Sequence, residues 1–166
     1  MMMHEIETSR LWLCRPTLED WENLEELWRN EIVQRFLGGV AEDDVIKERI
    51  TAIQDHWDHY GFGLWAVYKK STKQRVGLCG LHRSDDGLEI SYKFFPTFWG
   101  QGLAKEATMA CLNYGFTTFK DNSIIAITQE VNHRSCVLLE AIGMKHIENF
   151  KRFDTLQRLY EITRYK

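Results

Sequence analysis

The chain holds 166 residues, which at about 150 residues per domain sets a single domain, residues 1–166, as the expectation. Lys and Arg number 21 against 24 Asp and Glu, and a net charge of −3 argues against nucleic acid or an anionic membrane as partner. Hydrophobic residues at 44% exclude a disordered or collagen-like chain, and a domain this size buries about 68–70% of its unfolded surface, enough to fold without disulfide or metal.

Arg10–Cys14 is β-prone and ends at Arg15-Pro16, where the residue before proline is pushed to extended geometry. Thr17 with Asp20 three residues on reads as a helix cap, and Leu18, Trp21, Leu24, Leu27 and Trp28 follow at helical spacing. Gly38-Gly39 breaks the chain. A second helix is expected from about Asp43 to Tyr60, with Val45, Ile46, Ile50, Ile53 and Trp57 on one face and Gly61-Phe62-Gly63 as its stop. Leu64–Tyr68, Arg75–Leu81 and Leu88–Phe94 read as an antiparallel meander, the last two joined by an Asp-Gly type turn at Ser84–Gly87. After Gly100 and Gly102 the period changes, and Leu103, Ala107, Ala110, Cys111 and Tyr114 mark an amphipathic helix running to about Phe119. Ser123–Thr128 is a buried-type strand, Asn132 caps a short helix that Gly143 stops, and two final strands are expected over about 144–153 and 156–164.

Unbroken apolar runs reach only about four residues, as in Ile124–Ile127, against about 20 for a membrane span. Met1–Glu5 has neither a basic region nor an apolar one, so no secretory leader is expected. Cys14, Cys79, Cys111 and Cys136 are scattered among apolar neighbours without a C-x-x-C pair, which predicts reduced, buried thiols and a cytoplasmic location. Six Trp, six Tyr and nine Phe leave two readings open, a heavy core or a ring-lined groove.

The stretch Phe94–Ala107 carries the most chemistry. A strand runs into a loop with Gly100 and Gly102 that opens a helix, and unpaired N–H groups at a helix N-terminus suit a pyrophosphate. The same two glycines equally well make a plain tight turn. No Gly-Lys-Ser/Thr follows, so this is not a P-loop. A dinucleotide fingerprint fails too, because the third glycine is missing and the preceding strands read as antiparallel.

Trp99-Gly100-Gln101-Gly102-Leu103-Ala104 resembles the pyrophosphate loop, Gln/Arg-x-x-Gly-x-Gly/Ala, of the GNAT superfamily of N-acetyltransferases. Glu89–Tyr92, Pro96 and Phe98-Trp99 upstream resemble its context. Asn132–Ser135, Leu138–Glu140 and Ile142–Met144 downstream resemble its later elements. Thr8–Leu13 with Pro16, Thr17 and Asp20 is similar to the branch of the ribosomal-protein N-terminal acetyltransferases, RimJ and RimL. Departures are Trp99 for the opening Gln/Arg, Ala104 at the final position, Ser91 where glycine is usual and Met144 for Phe. The resemblance implies an α/β (α+β) GNAT fold with a mixed, mostly antiparallel sheet of about six or seven strands flanked by about four helices.

It also implies an acetyl-CoA-dependent N-acetyltransferase in which a primary amine, with a protein N-terminus as one candidate acceptor, attacks the thioester directly in a ternary complex. In that reading the backbone of Tyr92, Lys93 and Phe94 serves the acetyl carbonyl and pantetheine. Gln101, Gly102, Leu103, Ala104 and Lys105 hold the pyrophosphate, with Trp99 and Gly100 in the same cofactor site. Glu89 is the leading base, through water, with a solvated carboxylate beside a turn as the alternative; alternation puts Glu89 and Ser91 on one face. Asn132 and Ser135 fall beside the pantetheine with Ser135 as candidate acid, although a helix cap and a first-turn polar residue explain them as well. Tyr114 and Tyr160 fit apolar faces and rank as core.

No metal is expected: His56 and His59 share a helix face with Asp55 and Asp58 nearby, but further ligands cannot be placed and acetyl transfer needs none. Cys111 and Cys136 read as buried hydrophobes rather than nucleophiles, since no paired His is local. Alternatives to the enzyme are a non-catalytic acyl-CoA-binding module, for which Glu89 and Ser135 are dispensable, and a metal-dependent hydrolase using residues 55–59. Small amines or amino acids are the alternative acceptors, and a monomer or homodimer is expected. Acceptor choice is expected in Phe36–Asp43 and Phe150–Leu156, including Lys151-Arg152. Among the aromatics, Trp12, Trp21, Trp57, Tyr114 and Phe116 read as core. Phe94, Phe95, Phe98 and Trp99 flank the cofactor loop, and Phe36, Phe62, Phe150 and Phe153 the acceptor side.

Overall fold

The computed structural model describes residues 5–164; Met1–His4, on which most of the leader expectation rests, lie outside the described residues. The strands are β1 (Ile6–Glu7), β2 (Leu11–Cys14), β3 (Leu64–Lys69), β4 (Gln74–Ser84), β5 (Gly87–Phe94), β6 (Ser123–Gln129), β7 (Lys145–Arg152) and β8 (Thr155–Thr163). Helices are α1 (Leu18–Leu24), α2 (Glu26–Arg29), α3 (Glu31–Gln34), α4 (Asp43–Tyr60), α5 (Leu103–Thr118) and α6 (His133–Ala141), with a 3₁₀ turn at Pro96–Phe98. All eight strands form one sheet in the order β1-β2-β3-β4-β5-β6-β8-β7. Every neighbouring pair is antiparallel except β5–β6, which is parallel and shares a single register pair, Glu89 opposite Ile125.

Alternation along the strands feeds two cores. Trp65, Val67, Cys79, Leu81, Leu88 and Ile90 face one cluster, filled from α5 by Leu103, Ala107 and Cys111 and from α6 by Cys136 and Leu139. Ala66, Tyr68 and Leu78 face the other, filled by Trp21, Leu24, Leu27, Trp28 and Ile46. All four cysteines are free and buried, and Cys79 Sγ lies 3.6 Å from Cys111 Sγ. Among the described residues no helix is long and apolar enough to cross a membrane.

The expected elements are present with three differences. Two-residue β1, paired with Trp12 and Leu13, adds an eighth strand too short to carry a pattern. The first helical stretch divides at Glu25 into α1 and α2, and beyond it the extended Asn30 starts α3, its Oδ1 accepting from Ile32 N–H at 2.9 Å and Val33 N–H at 3.1 Å. Counted separately, the pieces bring the α-helices to six.

The cap at Thr17 does more than begin α1. Asp20 Oδ2 accepts from Thr17 N–H at 2.8 Å, while Oδ1 receives the Tyr68 hydroxyl and Arg75 Nε, the latter at 2.6 Å. Asp20 is 1% exposed, so it ties α1 to β3 and β4 inside the packed layer. Burial would raise its carboxyl, but the bonds from Tyr68, Arg75 and Thr17 hold it below the ordinary range. Its stabilisation is therefore present above the unfolded carboxylate range and is lost as pH falls through the lower folded value. Asp20→Ala leaves Tyr68 and Arg75 without their acceptor, and the expected loss is about 3 kcal/mol, a fall of about 10 °C in Tm by calorimetry. A variant melting within about 1 °C of the wild type would contradict this role.

Candidate functional site

The site is organised by β5. Its alternation turns Leu88, Ile90, Tyr92 and Phe94 toward α5 and Glu89, Ser91 and Lys93 toward the α1–α4 side. Against that second face lies a cavity of about 750 Å³, bounded by α4, the 37–42 loop, β3 and β4, with Ser91 and Lys93 in its wall. Trp28, Leu37, Val40, Val45, Ile53 and Leu64 make the wall largely apolar.

Glu89 sits opposite His82 in the β4–β5 register, with His82 Nε2 3.8 Å from Glu89 Oε2. Burial raises the Glu89 carboxyl above its ordinary value, with Asp86 adding to the rise and Ser84 and Arg152 opposing it. Burial also draws His82 down to about 4, helped by His56, so His82 is neutral near pH 7. His56 Nδ1–H donates to Phe62 O at 2.8 Å while its Nε2 accepts from Arg83 N–H at 2.9 Å, a pairing that requires the neutral ring. The cavity wall presents His82 and Ser91 rather than the Glu89 carboxylate itself. Of the two groups Glu89 is the stronger base, and His82 is its polar neighbour at the cavity.

Lys93 reaches into the same space. Its Nζ donates to Gln34 Oε1 at 2.6 Å and lies 4.8 Å from the centre of the Trp28 ring. Gln34 is itself buried and donates from Nε2 to Gly39 O at 3.0 Å, so Lys93 helps to fix the loop that walls the cavity. Burial, helped by the nearby Arg49 charge, pulls Lys93 down to about 7.

On the opposite face the Tyr92 hydroxyl lies 2.6 Å from Ser135 Oγ, joining β5 to α6. Burial raises the Tyr92 phenol, so it stays protonated and is a competent donor. Asn132 acts as the cap of α6, accepting from Ser135 N–H at 3.3 Å, and thereby fixes Ser135 beside Tyr92. Tyr160 is fully buried and donates to Glu140 Oε2 at 2.8 Å, as a core residue does.

The glycine loop joins the end of β5 to α5. Gly100 (φ +79°) and Gly102 (φ +76°) are left-handed, a conformation costly for any residue with a Cβ. Glu106 N–H bonds to Gly102 O at 3.1 Å and begins the helical ladder, so the amides of Leu103, Ala104 and Lys105 point out of the helix end, and no side chain caps it. Arg10 braces this end: Nη1 donates to Gln101 O at 2.8 Å and Nε to Glu106 Oε1 at 2.7 Å. Thr8 also donates to Glu106, and Lys69 Nζ to Gln101 Oε1 at 3.2 Å. Burial would raise Glu106, but the bonds from Thr8 and Arg10 hold it low and ionised. Trp99 Nε1 donates to Phe94 O at 2.9 Å, and the Arg134 guanidinium stacks 4.3 Å from its ring centre. Trp99 thus anchors the loop to β5 and α6.

Two distinct clusters therefore flank β5. Glu89, Ser91 and Lys93 meet His82 on the cavity side; Tyr92, Ser135, Asn132 and residues 99–105 lie on the α5–α6 side. His82, Gln34, Trp28 and the Lys93 side chain were not among the sequence candidates. His82 was legible, since counting outward from the turn pairs Ser84 with Gly87 and His82 with Glu89. The 37–42 loop does line the cavity, whereas Phe36, Phe62 and residues 150–156 are outside its wall. His59 makes no cluster with His56: among the described residues no group of three or more His, Cys, Asp or Glu could hold a metal ion.

Residues 10–145 match the family described as Acetyltransferase (GNAT) domain. The chain is similar to the uncharacterized N-acetyltransferase YnaD of Bacillus subtilis, 38% identical over 154 residues, covering 90% of this chain and 87% of that one. A GNAT-family acetyltransferase structure from Bacillus anthracis superposes with a TM-score of 0.81 at 26% identity, over 97% of this chain and 98% of the other. Spermidine N-acetyltransferase from Vibrio cholerae, solved with CoA and spermine, shares the fold at a TM-score of 0.79 and 19% identity, over 94% and 96%.

The depressed value of Lys93 has a sign that can be measured. Between about 7 and its unfolded value the unfolded chain binds a proton that the folded chain does not, so this group makes stability rise with pH across that window. Lys93→Met removes the contribution. Wild-type unfolding free energy, relative to the variant, is expected to increase from pH 7 to pH 9.5 (about 1.4 kcal/mol per unit at most) in urea titrations. Parallel pH profiles would contradict it.

Proposed function

The chain belongs to the GNAT family of acetyltransferases and is an acyltransferase, and we propose that it moves an acetyl group from acetyl-CoA to a primary amine by direct attack in a ternary complex. The observation that carries the reading is the divergence of parallel β5 and β6 beyond Glu89 and Ile125, next to the uncapped, glycine-bounded start of α5. The amides of residues 103–105 and the helix dipole suit the CoA pyrophosphate. The backbone of Tyr92–Phe94 suits the pantetheine and acetyl carbonyl, where an N–H donor stabilises the developing oxyanion.

The cavity receives the amine. Glu89 accepts its proton through His82 or a water molecule, and the free lone pair attacks the thioester carbonyl carbon. As the new C–N bond forms and the C–S bond breaks, the Tyr92–Ser135 hydroxyl pair supplies a proton to the departing thiolate. Tyr92 holds the donor role more naturally than Ser135 alone, because its hydroxyl is the more acidic of the two. Residues 99–105 bind and orient the cofactor, and no residue carries the acetyl group. The four free cysteines support a reducing, cytoplasmic setting for a single-domain enzyme. The Thr8–Leu13 likeness to RimJ and RimL keeps protein N-termini among the acceptors to be tried, alongside small amines and amino acids.

Acetyl-CoA is expected to raise the Tm of the wild type, and an amine to trigger CoA release. Glu89→Gln should retain the Tm increase while kcat falls about 100-fold, with loss of the acid limb that the wild type shows above the ordinary carboxylate range. Tyr92→Phe should lower kcat more than KM. A protein that gains no stability from acetyl-CoA, or a Glu89→Gln variant with wild-type turnover, would overturn the proposal.

A further inference from the structure

The cavity on the Glu89 face also carries a charge pattern, which narrows the acceptor and rests on the acetyl-transfer reading. Five ionisable side chains line the cavity: Glu42, Arg49, His56, His82 and Lys93. Both histidines are neutral, His82 through burial and His56 through its two hydrogen bonds, which leaves the Arg49 guanidinium and the Lys93 amine against one carboxylate. Five other arginines, Arg10, Arg29, Arg75, Arg83 and Arg158, each meet a carboxylate, and Arg164 meets backbone carbonyls. Lys93 instead bonds the neutral amide of Gln34, and among the described residues neither it nor Arg49 forms an ion pair. Burial favours the neutral Lys93 amine, and an anion brought by a ligand restores its protonated, charge-assisted form beside the exposed Arg49.

We propose that the acceptor is a small amine with an apolar body and one carboxylate, an amino acid of the leucine or phenylalanine kind, whose carboxylate is taken by Lys93 and Arg49. The apolar body meets Trp28, Val40, Val45, Ile53 and Leu64, and the amine lies toward Ser91 and His82. Lys93 stands two residues beyond Ser91, about 7 Å along the strand, a span that one small amino acid bridges. One carboxylate meets Arg49 and the re-protonated Lys93, whereas a dianionic phosphate brings a second negative charge near Glu42 and Glu89. A polyamine brings like charge to both cations. A protein N-terminus carries an amide where the carboxylate is needed.

The test compares ligands that differ only in that charge. N-acetyl-leucine, the product-like form, is titrated calorimetrically into the CoA-loaded protein beside N-acetyl-leucinamide. CoA release is followed with leucine, leucinamide, spermidine and a peptide bearing a free N-terminus. The carboxylate is expected to bind at least about tenfold tighter than the amide, and leucine to exceed leucinamide in kcat/KM by a similar factor. Arg49→Gln, on an exposed helix position, should shrink both ratios severalfold. Equal binding of acid and amide, or a preference for spermidine or the peptide, overturns the inference while CoA release still upholds acetyl transfer. Silence of every amine in the release assay fails the acetyl-transfer reading instead, and the inference with it.

Discussion

The structure depends on one pairing, Glu89 of β5 beside Ile125 of β6. Parallel strands in the middle of a sheet ordinarily run together along their length, yet these two share a single register pair and then separate. Separation is possible because each strand has a full partner on its other side. β5 is bonded to β4 through eight register pairs, and β6 to β8 through seven. The gap lies at the end of β5 that leads into Gly100, Gly102 and α5, so an open strand edge and an unpaired helix end occupy the same region. Alternation then assigns the rest: residues of one parity face the cavity, those of the other face α5 and α6.

Holding such a gap open needs bracing from outside it. Thr8 and Arg10, in the turn between β1 and β2, converge on Glu106 in the first turn of α5, and Arg10 also fastens the Gln101 carbonyl. Asp20 performs the matching task on the other layer through Tyr68 and Arg75. Both acids are held ionised against their own burial by several donors, the arrangement that makes a buried charge tolerable. Trp99 links β5 to α6, bonded to Phe94 and stacked against Arg134. The tryptophan that replaces the polar opening residue of the loop motif therefore serves as an anchor.

Much of this is legible in the sequence. The capping pair Thr17 and Asp20, the Asp-Gly turn, the left-handed glycines and the shift from strand to helix periodicity are local signals, and all describe real elements. The division of the first helix at Glu25 has no local signal, because Glu25 keeps a helical backbone (φ −59°, ψ −23°) at the break and the Asn30 cap lies beyond Trp28. The cavity was harder to foresee because Trp28, Gln34, Arg49 and Lys93 come from segments far apart in the chain, and alternation says which way Lys93 points without saying what it meets. The Tyr92–Ser135 contact spans 43 residues and has no local signature. Residues 150–156 are outside the cavity wall, yet Arg152 Nη2 lies 3.5 Å from Asp86 Oδ2 at the turn before β5, a long-range contact with no local signature.

The central claim is spatial, that β5 separates a cofactor side from an acceptor side and that transfer occurs across it. A crystal structure with acetyl-CoA bound tests this most directly. The account predicts pyrophosphate oxygens within hydrogen-bond distance of the amides of residues 103–105, the thioester between β5 and β6 near Tyr92 and Ser135, and the acetyl group facing the cavity at Ser91. Pyrophosphate bound away from the start of α5, or a thioester buried in the cavity beside Lys93, would contradict it.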